Sequence, residues 1–127
     1  MNPFSHIDLR VADMGAALEF YGRLLPALGF TLRFHGPVWK VFATQAELPS
    51  AAFFSIVEDR GHRPNANRIA FWRESPEDVD RIGEVLNEIG AEIESGPGRV
   101  EEYPGEYYAV FFEDPSGNLL EVVHRVM

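Results

Sequence analysis

One order of elements occurs twice along this chain and limits its folds more than anything else: a strand, a helix, then three strands. The clearest element is a helix over Pro76 to Ile89. Ser75 stands at the N-cap position, Pro76 takes the first turn and Asp78 follows three residues after the cap. Val79, Ile82, Val85, Leu86 and Ile89 recur at helical spacing, and Gly90 suits the left-handed stop. An earlier helix is expected over Met14 to Leu25, with Asp13 as N-cap and Ala17, Leu18, Tyr21, Leu24 and Leu25 on one side. Pro26 is expected to end or bend it.

Strand patterns flank both helices. Phe4 to Val11 alternates, with His6, Asp8 and Arg10 on one face and Ile7, Leu9 and Val11 on the other. Gly29 to His35, Val38 to Thr44 and Ala51 to Val57 follow the first helix. Asn67 to Trp72 precedes the second helix, and Ala91 to Ser95, Glu106 to Glu113 and Asn118 to Arg125 follow it. Asp114-Pro115-Ser116-Gly117 predicts the turn of a final hairpin. The reading is a single α+β domain over 1–127 built from two tandem βαβββ modules, about 4–57 and 67–125, joined through 58–66 and forming a curled mixed sheet around a cleft. Aligning the halves sets His6-Ile7-Asp8-Leu9 against Arg68-Ile69-Ala70-Phe71, and Ala52-Phe53-Phe54-Ser55 against Leu119-Leu120-Glu121-Val122. Each sheet must bury one face under its helix. Alternation then turns Ile7, Leu9, Ile69 and Phe71 toward the helices, and His6, Arg68, Ala70 and Trp72 toward the cleft.

These segments resemble a known family. His6-Ile7-Asp8-Leu9-Arg10-Val11-Ala12-Asp13, Phe20-Tyr21 and Leu28-Gly29-Phe30 are similar to the opening of vicinal-oxygen-chelate proteins, the group of glyoxalase I, bleomycin-resistance proteins and extradiol dioxygenases. Tyr107-Tyr108-Ala109-Val110-Phe111-Phe112 and Asp114-Pro115-Ser116-Gly117-Asn118-Leu119-Leu120-Glu121 resemble its closing segment. The resemblance implies a cleft in which metal-using members chelate two neighbouring substrate oxygens. It carries His6 and Glu121 over as metal ligands and as the residues that would do catalytic work. Of the other two ligand places, one holds Arg68 and the other Phe54, with Ser55 its neighbour if the register slips. Arginine has no lone pair to offer, so the set for a divalent metal is incomplete. Glu121 interrupts the apolar run of Leu119, Leu120, Val122 and Val123 and needs a partner if buried. The expected partner is Arg68, as an ion pair standing where relatives hold a metal.

Around these residues, Arg68, Trp72, Phe54 and Tyr108 are expected to bind ligand, the Arg68 donors left over from the pair meeting a substrate carboxylate or carbonyl, with Trp39, Phe42 and Tyr103 as further candidates for an aromatic wall. Gly96-Pro97-Gly98 and Tyr103-Pro104-Gly105 read as a flap. His62 is a loop residue that could reach the site, and His35 and His124 read as surface residues. The absence of cysteine excludes disulfides, thiolate metal sites and a cysteine nucleophile. A net charge of −9 argues against nucleic acid and anionic membranes, and it suits a cationic ligand as well as simple solubility. No run is long enough to span a bilayer, and Met1-Asn2-Pro3-Phe4 lacks the layout of a signal peptide, so a cytoplasmic protein is expected. Two functions follow from the resemblance. One is a glyoxalase-like lyase or isomerase that uses a metal to move a proton next to a carbonyl. The other is a metal-free protein that sequesters a small organic molecule. Extradiol cleavage would need a second histidine. The resemblance also implies a homodimer.

Overall fold

A computed structural model describes residues 3–45 and 51–126; the terminal residues 1, 2 and 127 and residues 46–50 lie outside it. The chain divides into two compact units, the first ending at Arg63 and the second beginning at Pro64. Both have the expected order of elements. Unit 1 holds β1 (His6–Val11), α1 (Met14–Ala27), β2 (Phe30–His35), β3 (Trp39–Thr44) and β4 (Phe53–Glu58). Unit 2 holds β5 (Arg68–Trp72), α2 (Pro76–Glu88), β6 (Glu92–Arg99), β7 (Glu106–Glu113) and β8 (Leu119–Val126).

Each unit builds an open four-stranded sheet in the same way: β1-β4-β3-β2 in unit 1 and β5-β8-β7-β6 in unit 2. The first strand pairs parallel with the last, β1 with β4 and β5 with β8, and the other pairings are antiparallel. The helix and the two strands after it together make the long connection that a parallel pair of first and last strands requires.

Helix ends form as their side chains dictate. The Asp13 carboxylate accepts from the Gly15 N–H at 2.9 Å, satisfying an orphan donor at the start of α1. Pro26 does not end α1, which runs on to Ala27. So close to the C-terminus the ring costs a single donor. In α2 the Ser75 Oγ accepts from the Asp78 N–H at 3.2 Å. The stop comes at Gly90 with φ 71°, where Ala91 N–H returns to the Leu86 carbonyl at 2.9 Å.

The core of unit 1 is Val11, Tyr21, Leu24, Leu25, Phe42 and Ile56; that of unit 2 is Val79, Leu86, Val110, Phe112, Leu120 and Val122, all essentially without exposure. At about 1.5–3 kcal/mol for each fully buried large apolar side chain, these residues are the main favourable term in either unit.

Two expectations are corrected. Gly96-Pro97-Gly98 is not a flap but part of β6, which runs to Arg99. Its pairing with β7 shifts register between Ile93 and Ser95 and again between Ser95 and Gly98, so the glycines mark bulges in a strand. A Cβ at Gly96 would lie 2.3 Å from the Ala109 carbonyl oxygen, so only glycine lets the two backbones approach this closely. Phe54, expected at the binding face, is 2% exposed, and its ring lies 5.7 Å from that of Tyr21 on α1. It belongs to the core under the helix. In the parallel ladders Asp8 faces Ser55 and Ala70 faces Glu121, so Ser55 is the repeat counterpart of Glu121. The sequence alignment of the last strands was one residue out of step, and a slip of one exchanges the two faces of a strand.

Candidate functional site

The far face of the unit 2 sheet, turned away from α2, carries the densest polar group among the expected site residues. Glu121 sits on it in β8, 4% exposed, with Ala70 of β5 on one side and Phe111 of β7 on the other. A buried carboxylate needs a donor. Among the described residues that donor is the Tyr107 phenol, which makes a short hydrogen bond to Glu121 Oε2. Burial, and then the bond to Glu121, push the Tyr107 phenol well above its ordinary range. The phenol therefore keeps its proton and donates it to the carboxylate.

Arg68 is on the same face but does not pair with Glu121. Its register partner is Leu119, while Ala70 stands opposite Glu121. Its guanidinium instead lies 5.0 Å from the centre of the Phe111 ring, donates to the Leu120 carbonyl at 3.1 Å and reaches Glu94 Oε2 at 3.4 Å. The expected ion pair with Glu121 is thus replaced by a phenol–carboxylate pair and a separate Arg68–Glu94 contact. Trp72, at the other end of β5, is 51% exposed, with its ring 5.3 Å from that of His124.

Tyr108 faces the other way. Its hydroxyl donates to Asp80 of α2 at 2.7 Å, which sets it on the helix side, away from Glu121. Adjacent strand residues point to opposite faces, so Tyr107, which the sequence reading passed over, takes the place expected of Tyr108. A pair of neighbouring tyrosines carries no signal of which one faces the site.

Tyr103 continues the aromatic surface. It is 46% exposed, and its ring meets that of Tyr107 edge-on at 4.5 Å. It stands between two open depressions. The first, about 530 Å³, is lined by Glu94, Arg99, Glu102 and Phe111 as well as Tyr103. The second, about 410 Å³, lies against Pro104, Tyr107 and Arg125.

His6 belongs to unit 1. Its Nδ1 is 2.9 Å from Ser5 Oγ and its Nε2 is 3.8 Å from Asp8 Oδ2, on an exposed strand. His62 is half-buried in the connection, and His124 Nδ1 is 3.0 Å from the Arg73 carbonyl oxygen. Among the described residues no three His, Asp or Glu side chains are grouped so that they could hold a metal ion. Glu121 is engaged by a phenol, Arg68 cannot ligate, and Ser55 is the repeat counterpart of Glu121. Among the described residues of unit 2, those around Glu121 do not supply the three ligands that a resident divalent ion needs.

The family model of the Glyoxalase/Bleomycin resistance protein/Dioxygenase superfamily matches residues 4–122. Among solved structures, a glyoxalase/bleomycin resistance protein from Albidiferax ferrireducens T118 superposes with a TM-score of 0.79 at 26% identity, over 98% of this chain and 100% of that one. The genomically encoded fosfomycin resistance protein FosX from Listeria monocytogenes superposes with a TM-score of 0.73 at 24% identity, over 100% of this chain and 94% of that one. At that identity the second likeness speaks to the fold alone. A second structure of the same FosX is a complex with Mn(II) and sulfate. No curated protein matches the sequence.

Proposed function

This chain belongs to the Glyoxalase/Bleomycin resistance protein/Dioxygenase superfamily, and from that premise we propose that it binds a small organic molecule on the far face of unit 2 without a resident metal. The observation that carries the reading is Glu121, a buried carboxylate whose partner is a phenol rather than a cation. Tyr103 and Tyr107 beside it offer ring faces, and Glu102 stands at the larger depression with Arg99 and with Glu94, which Arg68 already contacts. Ring faces together with carboxylates suit a ligand that is both aromatic and cationic. The proposed role is sequestration, as in the bleomycin-resistance members. The competing reading, a metal-assisted lyase or isomerase acting next to a carbonyl, needs three or more ligands that the described side chains do not bring together.

Titration calorimetry on EDTA-treated protein tests the reading. Benzyltrimethylammonium serves as the cationic ring and benzoate as its anionic counterpart. Metal-free bleomycin and fosfomycin follow, as the antibiotics in the relatives' names. The cationic ring is expected to bind saturably and benzoate not at all. Glu121→Gln should weaken that binding at least tenfold, about 1.4 kcal/mol. Stoichiometric Mn²⁺ or Ni²⁺ binding that Glu121→Gln abolishes would replace this reading with the lyase.

A further inference from the structure

The net charge of −9 is not shared between the two units. Residues 1–63 carry six Lys and Arg against six Asp and Glu, so unit 1 is formally neutral. Residues 64–127 carry five against fourteen, so the whole excess lies in unit 2. The five cations are all arginines: Arg68, Arg73, Arg81, Arg99 and Arg125. Arg81 and Arg99 reach carboxylates close by in sequence, Asp78 at 2.7 Å and Glu101 at 3.3 Å. Arg68 behaves differently, because its side chain crosses the sheet.

The strands run in the order β5-β8-β7-β6, and Arg68 opens β5. Its guanidinium donates to the Leu120 carbonyl of β8, lies over the Phe111 ring of β7 and touches the Glu94 carboxylate of β6. Phe111 and Glu94 also line the larger depression, whose charged residues are otherwise Glu102 and Arg99. A ring face, a carboxylate and a backbone carbonyl together form a seat for a cation, and all three of its groups are acceptors. The chain fills that seat with its own residue.

The hold on the occupant is loose. The contact with Glu94 is a single one at 3.4 Å, with the two side chains 29% and 38% exposed. Ion pairs that water reaches and that lack the bidentate fork contribute little. Residues 63–67, just before Arg68, are all exposed, so the guanidinium has solvent to move into.

We infer that this seat takes a planar aromatic cation with N–H donors, an aryl amidine or guanidine, and that Arg68 is the internal competitor which such a ligand displaces. The inference rests on the proposed binding of an aromatic cation to this face of unit 2 and narrows its class. A ligand with N–H groups can replace the guanidinium toward Glu94 and the Leu120 carbonyl, whereas a quaternary ammonium can replace its charge alone.

Benzamidine is the probe, titrated by calorimetry into the metal-free wild type and into Arg68→Ala. Emptying the seat should tighten benzamidine at least tenfold, about 1.4 kcal/mol. In Arg68→Ala benzamidine should also bind more tightly than benzyltrimethylammonium. A measurement on the wild type serves if the variant is poorly folded. The Arg68 side-chain N–H signal, displaced by the ring beneath it, should move toward the position of free arginine as benzamidine saturates. Benzamidine affinity unchanged or weakened in Arg68→Ala, or an Arg68 signal that stays in place while benzamidine saturates, would overturn the inference. If benzyltrimethylammonium still bound in a Glu121-dependent way, the proposed function would stand without it. No binding of either cation to either protein would overturn both.

Discussion

Among single residues, Glu121 and Tyr107 decide the character of the site. Glu121 was legible because a carboxylate in the run Leu119 to Val123 is costly unless it is held. Its partner was not legible. Arg68 is the stronger donor on chemical grounds, but strand register decides reach, and it sets Ala70 rather than Arg68 opposite Glu121. Tyr107→Phe leaves a buried carboxylate without its donor and should lower the unfolding free energy by about 1–3 kcal/mol, read from urea denaturation at neutral pH. The same bond makes a prediction at high pH. Because the folded-state pKa of Tyr107 is raised above the ordinary 10.0, its contribution is complete below pH 10. It is lost as pH climbs from there toward the folded value, where the unfolded phenol ionises and the folded one does not. Tyr108, raised by its bond to Asp80, acts in the same direction. Stability should therefore fall above pH 10, and less steeply in Tyr107→Phe. An unchanged slope would mean that the phenol is not held by Glu121.

The elements themselves were the most legible level. Alternation and capping residues located the eight strands and two helices of the described residues, because those signals are local: Asp13 and Ser75 bond donors two or three residues away. Two things were not local. The face assignment in β4 turned on Phe53 and Phe54, identical side chains between which periodicity cannot choose, and only pairing with β1 and β3 separates them. The extension of β6 through Gly96-Pro97-Gly98 depends on contact with other elements, since glycine and proline ordinarily punctuate strands. One such contact joins Pro97 to α2: a Cβ built on Gly83 would lie 2.5 Å from the Pro97 ring. Gly83→Ala should thus cost about 1–3 kcal/mol. In α1, a Cβ on Gly22 meets nothing nearer than 4.0 Å, so Gly22→Ala should stabilise by about 0.5–1 kcal/mol. Thermal denaturation of the two variants checks both signs, and a helix effect alone would make them alike.

At the level of the whole molecule, two units share one plan but have come to differ in chemistry. Unit 1 is neutral, with an aromatic hairpin and an exposed His6 beside Asp8. Unit 2 is strongly acidic and carries the phenol–carboxylate pair beside two depressions. Where unit 2 has Glu121, unit 1 has Ser55, so the two units do not carry matching side chains at that register position. The proposed binding function therefore rests on unit 2. Chemical-shift mapping tests that most directly: ¹H–¹⁵N spectra of the metal-free protein recorded while benzyltrimethylammonium is added. The account predicts saturable shifts concentrated at the amides of Glu94, Tyr103, Tyr107, Phe111 and Glu121, and their loss in Glu121→Gln. Shifts confined to unit 1, or shifts unaltered by Glu121→Gln, would contradict it.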